Sequence, residues 1–263
     1  MSNIVPGHML VNTVQYGGHV LGAYDNDRMI GAAIAFLGTL IPVDDPRPAG
    51  DALAIMSKRA IVLPEYRGAG VGEALKRMQY EIAIRQGIQL IRWTFDPVLS
   101  RNAYFNISKL GTVIQHYEEN YFGEAAAHPT LEADRVVANW WVGHSHSEAH
   151  LQNNLAKPVL SQLQSQSGTL VIERLTPDNC VDSPESVPDV TGYETILVSL
   201  PFDFSAIEVE NSEHARQWRD FLRDALKTCL AAGYIITGFV REGERVFYML
   251  TLDTGTYHFK DDV

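Results

Sequence analysis

Apolar positions change their spacing several times along this chain, and each change marks an element. Residues 7–16 carry a short helical pattern, and residues 19–24 and 29–37 form apolar runs of strand length on either side of Asp25, Asn26 and Asp27, which predicts a hairpin with an Asx-rich turn. A loop over 42–50, with three prolines, leads to a third strand over 53–63 that Pro64 stops. At Val71 the period becomes helical: Val71, Ala74, Leu75, Met78 and Ile82 share a face, Glu73 and Arg77, then Glu81 and Arg85, stand four apart outside it, and Gly87 ends the helix. Residues 88–95 read as a strand. Asp96 and Pro97 then read as N-cap and first residue of a helix that Gly111 closes. Strands over 112–117 and 135–142 follow, joined by a loop with Tyr121 and Phe122.

Beyond about residue 145 the pattern restarts. Strands are expected over 168–174 and 195–200, separated by a stretch over 176–192 rich in Pro, Asp and Ser. The segment 211–232 is a strong helix, with Trp218, Phe221, Leu222, Ala225, Leu226, Cys229 and Leu230 on one side and Gly233 as its cap. Residues 234–240 and 246–252 form a hairpin around Glu242, Gly243 and Glu244. The expected fold class is therefore α+β, with a mixed sheet in residues 1–145 and a smaller α+β unit in 146–263. No repeat recurs at solenoid periods.

Composition narrows the class. At 263 residues and 46% hydrophobic content the chain has enough apolar material for one large core or two modest ones. The longest apolar run, about 31–43, is broken by Gly38 and Pro42 and is too short to span a bilayer. With two cysteines, Cys180 and Cys229, no CxxC pair and no signal-like start, a reducing cytoplasm is the expected compartment, and no membrane partner is expected. A net charge of −11 speaks against nonspecific nucleic-acid binding, which runs on phosphate neutralisation. The charge is uneven, however. Residues 58–109 hold nine basic and four acidic side chains, a basic island suited to an anionic ligand.

The stretch VLPEYRGAGVGEALK, residues 62–76, sits within that island. A strand that runs through glycines into a helix leaves main-chain N–H groups unpaired at the positive end of the helix dipole, where phosphate binds. It is not a Walker loop, for no Lys-Ser/Thr follows the last glycine, and its glycines are spaced differently from the dinucleotide fingerprint. Read as Arg67-x-x-Gly70-x-Gly72, it resembles the pyrophosphate loop of the GNAT superfamily of acyl-CoA-dependent N-acyltransferases, and the order of elements around it resembles that fold over residues 7–143. RWTFDPVLSRNAYFNISKLG, Tyr117 and ADRVVANWW resemble a branch of predicted acyltransferases with a C-terminal extension, which AGYIITGFVREGERVFYML also resembles.

The resemblance implies that Arg67, Gly68, Ala69, Gly70, Val71 and Gly72 hold the pyrophosphate of acetyl-CoA or another acyl-CoA. It implies that the strand ending in Val62 and Leu63 pairs with the pantetheine arm, that this strand and the next splay apart, and that an N–H near Val62 or Leu63 stabilises the oxyanion. The family's first strand and most of its first helix are expected to be missing. The acceptor implied is a small amine or amino acid, and a homodimer is compatible with the family.

Proton handling is less legible. The family's helix pattern puts Ser100 at an asparagine position and Ile107 where a tyrosine acid usually stands. Tyr104, one turn before Ile107, is a substitute acid or an aromatic packed on the sheet. Asp96 is a polar candidate after the splayed strand, or an N-cap, or both. Arg101 and Asn102 suit a carboxylate on the acceptor or on a succinyl group. Lys58 follows Ser57 where the family branch tends to carry histidine. His144, His146, Glu148 and His150 are metal-binding types, but in this setting they read as a solvated linker, and no metal is expected. Neither Cys180 nor Cys229 reads as a nucleophile.

Overall fold

Turn chemistry and side-chain period set the elements. In the computed structural model, which describes residues 5–123, 134–174 and 187–259, α1 (Gly7–Gln15) precedes a hairpin of β1 (His19–Asp25) and β2 (Arg28–Thr39). Asn26 turns it at φ 51°, a left-handed conformation that asparagine tolerates and a two-residue hairpin loop needs. β3 (Leu53–Val62) runs back along β2 and leads through a short 3-10 turn, Pro64–Tyr66, into α2 (Val71–Gln86). Then follow β4 (Leu90–Phe95), α3 (Ser100–Ala103) with a π-helical turn over Tyr104–Lys109, β5 (Val113–Glu118), β6 (Arg135–Trp141), α4 (Ser145–Leu151) and α5 (Leu160–Gln164). β7 (Thr169–Ile172), β8 (Thr195–Leu200), α6 (Phe204–Glu210), α7 (Ser212–Ala231), β9 (Tyr234–Glu242) and β10 (Arg245–Leu252) complete the described chain. Among the described residues no helix is long and apolar enough to cross a membrane.

Among the described residues, hydrogen-bonded neighbours order the strands as β1-β2-β3-β4-β6-β5-β9-β10-β8-β7, a mixed pairing pattern of an α+β protein. The residues group into two compact units: Met1–Trp93 with Asn139–Glu148 and His258–Val263, and Thr94–Ala138 with Ala149–Tyr257. In the first, β1, β2 and β3 are antiparallel and β4 joins β3 in parallel. In the second, β5 pairs with β9 through Ile114 and Ile236, β9 and β10 form a hairpin, β8 lies antiparallel to β10, and β7 is parallel to β8. Val113 and Ile114 are fully buried, and β9 and α7, both from the C-terminal half, are what cover β5.

α7 shows how that cover is held. Asn211 caps it by accepting from the N–H groups of Glu213 and His214 at 3.1 and 3.0 Å. Its stripe of Ala215, Trp218, Leu222, Ala225, Leu226 and Cys229 is buried, each large apolar side chain contributing roughly 1.5–3 kcal/mol. Burial pushes the Cys229 thiol up to about 12, which leaves it inert. Below, Leu160, Leu197, Val240 and Phe247 form a core cluster.

Three local expectations are corrected. α2 buries Leu75, Lys76, Gln79, Tyr80 and Ala83, whereas Ala74 and Met78 are exposed, so its inner face is rotated by about one residue from the apolar stripe. Asp96 does not cap a helix: helical structure begins at Ser100 with Leu99 at the N-cap, while the Asp96 carboxylate accepts from Val98 N–H at 3.2 Å and from Arg219. The run GHSHSEAH is no solvated linker but contains α4, with Ser147 buried. Cys180 and most of the 176–192 stretch lie outside the described residues, as does Ala133 of ADRVVANWW.

Candidate functional site

The bend between β3 and α2 is anchored on its near side only. Pro64 opens the 3-10 turn, Arg28 of the hairpin pairs with Glu65, and the Tyr66 hydroxyl donates to Asp25 at 2.9 Å. Arg67 folds back so that its Nε donates to the Val62 carbonyl at 3.2 Å. After that the chain turns through Gly68 at φ 84° and Gly70 at φ 82°, values that strain any L side chain. Nothing lies within 4 Å of the position a Cβ would take at either glycine, so their front is open space. The first helical hydrogen bond runs from Ala74 N–H to Gly70 at 2.9 Å. Among the described residues, no main-chain hydrogen bond of ordinary geometry runs from the N–H groups of residues 68–73, which lie in the tight turn at 67–70 and the first turn of α2. Residues 67–70 are exposed.

The strand leading in has an open edge. β3 pairs with β4 only at Ile55–Ile91 and Met56–Arg92. From Ser57 onward β3 is paired on its β2 side alone. The Leu63 N–H donates to Ile30 at 2.9 Å, and Val62 stands opposite Gly31. By the alternation of an antiparallel ladder, the main-chain groups of Val62 and Ala60 therefore point away from β2, to the open side. The Leu63 amide is engaged within the sheet and is unavailable to an oxyanion. The Val62 N–H faces the open edge, and its carbonyl is taken by Arg67. The register between β2 and β3 slips between Ile34 and Ala35, leaving Lys58 opposite no residue of β2, a bulge of the kind that re-aims strand edges.

Where β3 and β4 part, the first unit holds a buried polar cluster that the sequence did not reveal. His19, Ala35 and Ser57 stand in one row across β1, β2 and β3. Over that row lies Lys76 of α2, 3% exposed, with Nζ donating to Ser57 Oγ at 2.8 Å and resting 3.5 Å from the centre of the Trp93 ring. Ser57 donates in turn to Gln79 Oε1 at 3.0 Å. Burial brings the Lys76 ammonium down from 10.5 to about 7. Burial, and then the Lys76 charge, lowers His19, neither of whose ring nitrogens has a partner. The only signal in the sequence was a basic residue and a glutamine on the helix stripe 75, 76, 79, 80, 83.

The residues expected to handle protons belong to the second unit. Both oxygens of Asp96 are held by Arg219, at 3.1 and 3.0 Å, with Arg135 at 3.6 Å. Tyr104 opens the π-helical turn and packs edge-on against Phe239, ring centres 5.9 Å apart. Asn102 donates its main-chain N–H to Leu99 at 2.9 Å and is half-buried. Ile107 is fully buried. Among the described residues no three His, Cys, Asp or Glu gather to hold a metal; His150 Nδ1 lies 2.9 Å from the Ser108 carbonyl, and Glu148 accepts from the Tyr80 hydroxyl.

No family model matches the chain, and no curated protein matches it. Solved structures do. A GNAT family acetyltransferase from Elizabethkingia anophelis with acetyl-CoA bound aligns at a TM-score of 0.39 and 16% identity, over 54% of this chain and 94% of that one. The IAA acetyltransferase from Bacillus cereus aligns at a TM-score of 0.38 and 18% identity over 52% of this chain and 85% of that one. The ribosomal-protein-alanine N-acetyltransferase from Brucella melitensis aligns at 0.41 and 16% over 51% and 75%. Each of these alignments covers about half of this chain at low identity. The bend, the open edge of β3 and the buried cluster are properties of this chain's own geometry.

Proposed function

We propose that this chain is an acyl-CoA-dependent N-acyltransferase of the cytoplasm, with its acyl-CoA machinery in residues 1–145. It transfers an acetyl group, or alternatively a succinyl group, directly to a small amine or amino acid. One observation carries the reading: the main-chain N–H groups of residues 68–73 make no main-chain hydrogen bond of ordinary geometry, and open space lies before Gly68 and Gly70, at the end of a strand with a free edge. Such donors at a helix N-terminus suit a diphosphate. The free edge at Ala60 and Val62 suits an extended arm that adds itself as a strand. The exposed end of Arg67 adds charge to the bend, and the Val62 N–H is the donor placed for the oxyanion.

In the transfer, the amine nitrogen bonds to the thioester carbonyl carbon, the carbon–sulfur bond breaks, and the thiolate leaves without a covalent enzyme intermediate. The ammonium proton must go to a base. Here a second reading gains support, an acyl-CoA-binding module with weakened turnover: Asp96 is tied to Arg219, Tyr104 packs on Phe239, and Ile107 stands where the family's acid is expected.

Calorimetric titration of the full chain with acetyl-CoA and succinyl-CoA, followed by thiol-release assays over an amine panel, tests both. Binding is expected, and Gly70→Ala, which forces a left-handed φ on an L residue at about 1–2 kcal/mol, is expected to weaken it about tenfold. Thiol release supports the enzyme, and binding without release the module. If neither acyl-CoA binds, both readings fail.

A further inference from the structure

A buried ammonium without a carboxylate is an unfavourable choice for a helix–sheet interface. A methionine or leucine at position 76 would fill similar space with no charge to desolvate, and replacing buried ionic groups by apolar ones is commonly neutral or stabilising. Stability therefore does not account for Lys76. Its contacts point elsewhere. The last paired rungs of β3 and β4 are Ile55–Ile91 and Met56–Arg92, and the next residue on each strand is Ser57 and Trp93. Those are the two residues that the Lys76 ammonium touches, at 2.8 Å to the hydroxyl and 3.5 Å to the ring centre.

We propose that Lys76 is a polar wedge that fixes where β3 and β4 part, and so is a positioning residue for the ligand that lies along the open edge of β3. In its bearing on acyl-CoA this rests on the reading above. The wedge works from behind the strand: the ammonium holds Ser57 through a hydrogen bond and Trp93 through the ring face, a cation–π contact that an uncharged amine makes far more weakly. Gln79 fixes the Ser57 hydroxyl from the same helix. The groups that face Lys76 are His19 from β1, Ser57 from β3, Trp93 from β4 and Gln79 from α2, while Glu73 and Arg77 of α2 pair with each other at 2.9 Å. No carboxylate among the described residues acts on it, so its protonation responds to pH near neutrality, and the grip on Trp93 with it.

The test uses the full chain and Lys76→Met, which keeps length and removes charge. Without ligand, lysine side-chain NMR and amide hydrogen exchange over residues 57–62 are followed from about pH 6 to about pH 8.5. The wild type is expected to show one lysine titrating near neutrality, missing from the variant, and exchange over 57–62 that departs from the intrinsic pH dependence as this lysine loses its proton. The variant follows the intrinsic dependence. Identical exchange in the two proteins at every pH overturns the proposal. In the second arm acetyl-CoA is titrated into both. The wild type is expected to bind about tenfold more tightly than the variant at the acid end, with the ratio falling towards one at the alkaline end. A ratio that stays constant with pH overturns the positioning role. If acetyl-CoA fails to bind the wild type while the lysine-linked exchange is present, the wedge stands and the acyl-CoA reading falls.

Discussion

At residue scale, Lys76 separates stability from function. Burial lowers its ammonium from 10.5 to about 7 in the folded chain. Between those values the unfolded chain carries a proton at this site that the folded chain lacks, so stability rises with pH across the window, and the penalty is complete below it. Lys76→Met is expected to be more stable than the wild type by about 3 kcal/mol near pH 6.5, with the gain shrinking as pH approaches 10. Urea unfolding at three pH values measures this; a gain independent of pH, or a loss, contradicts it. The sequence hid this residue because periodicity weighs apolar side chains, and Met78 outranks Lys76 on that measure although Met78 is exposed and Lys76 is not. Lys76 is one of the nine basic residues of the island over 58–109, but its burial removes it from the field at the bend. Gly70 was legible for the opposite reason: its left-handed φ is a backbone demand that composition shows directly.

At the scale of elements, α7 is tied to β5 and β6 by charges as well as by its apolar stripe. Asp134, 1% exposed at its side chain, accepts from Arg223 Nε at 2.8 Å, from the Tyr117 hydroxyl at 2.6 Å and from Asn120 N–H at 2.9 Å. Burial alone would raise its carboxyl, but these donors together hold it below the ordinary range. Its contribution is therefore present above about pH 4 and is lost as the solution is acidified through the lower folded value. Asp134→Ala is expected to cost about 3 kcal/mol at neutral pH, because in a buried setting Tyr117 loses its acceptor and Arg223 loses the nearest of its carboxylates, and much less in acid. Thermal melts at neutral and acidic pH would show an equal loss at both if the charge were irrelevant. The strands and α7 were legible within a few residues, since each keeps a clean period and several end at a turn or breaking residue: Asn26 after β1, Pro64 after β3 and Gly233 after α7. The start of α3 was not. Asp96 and Pro97 satisfy the local rule for a helix beginning, yet the carboxylate is claimed by Arg219, more than a hundred positions away, and local signals carry no information about such a partner.

At the scale of the whole molecule, the order of strands matters more than the restart of the pattern near residue 145. β5 depends on β9 and α7 for its cover, Ser100 donates to the Phe202 carbonyl, and the buried Tyr248 hydroxyl donates to Pro97 at 2.7 Å. A fragment ending at residue 145 keeps the bend and β1 to β3 but strips the partners from residues 94–138. It is expected to aggregate or to remain partly unfolded, whereas the full chain melts cooperatively; circular dichroism and size-exclusion chromatography of the fragment decide the matter. Element existence was readable from period alone, but which strand lies beside which was not, because a ladder between Ile114 and Ile236 leaves no mark on either segment by itself.

That ladder also sets a timetable. During synthesis Ile114 leaves the ribosome about 120 residues before Ile236, and at about 5–20 residues per second its strand waits roughly 6–24 s for the neighbour it needs. Throughout that interval an apolar edge stands open to other nascent chains, so the yield of native protein in a cell is governed by how quickly translation proceeds and by what shelters β5 meanwhile.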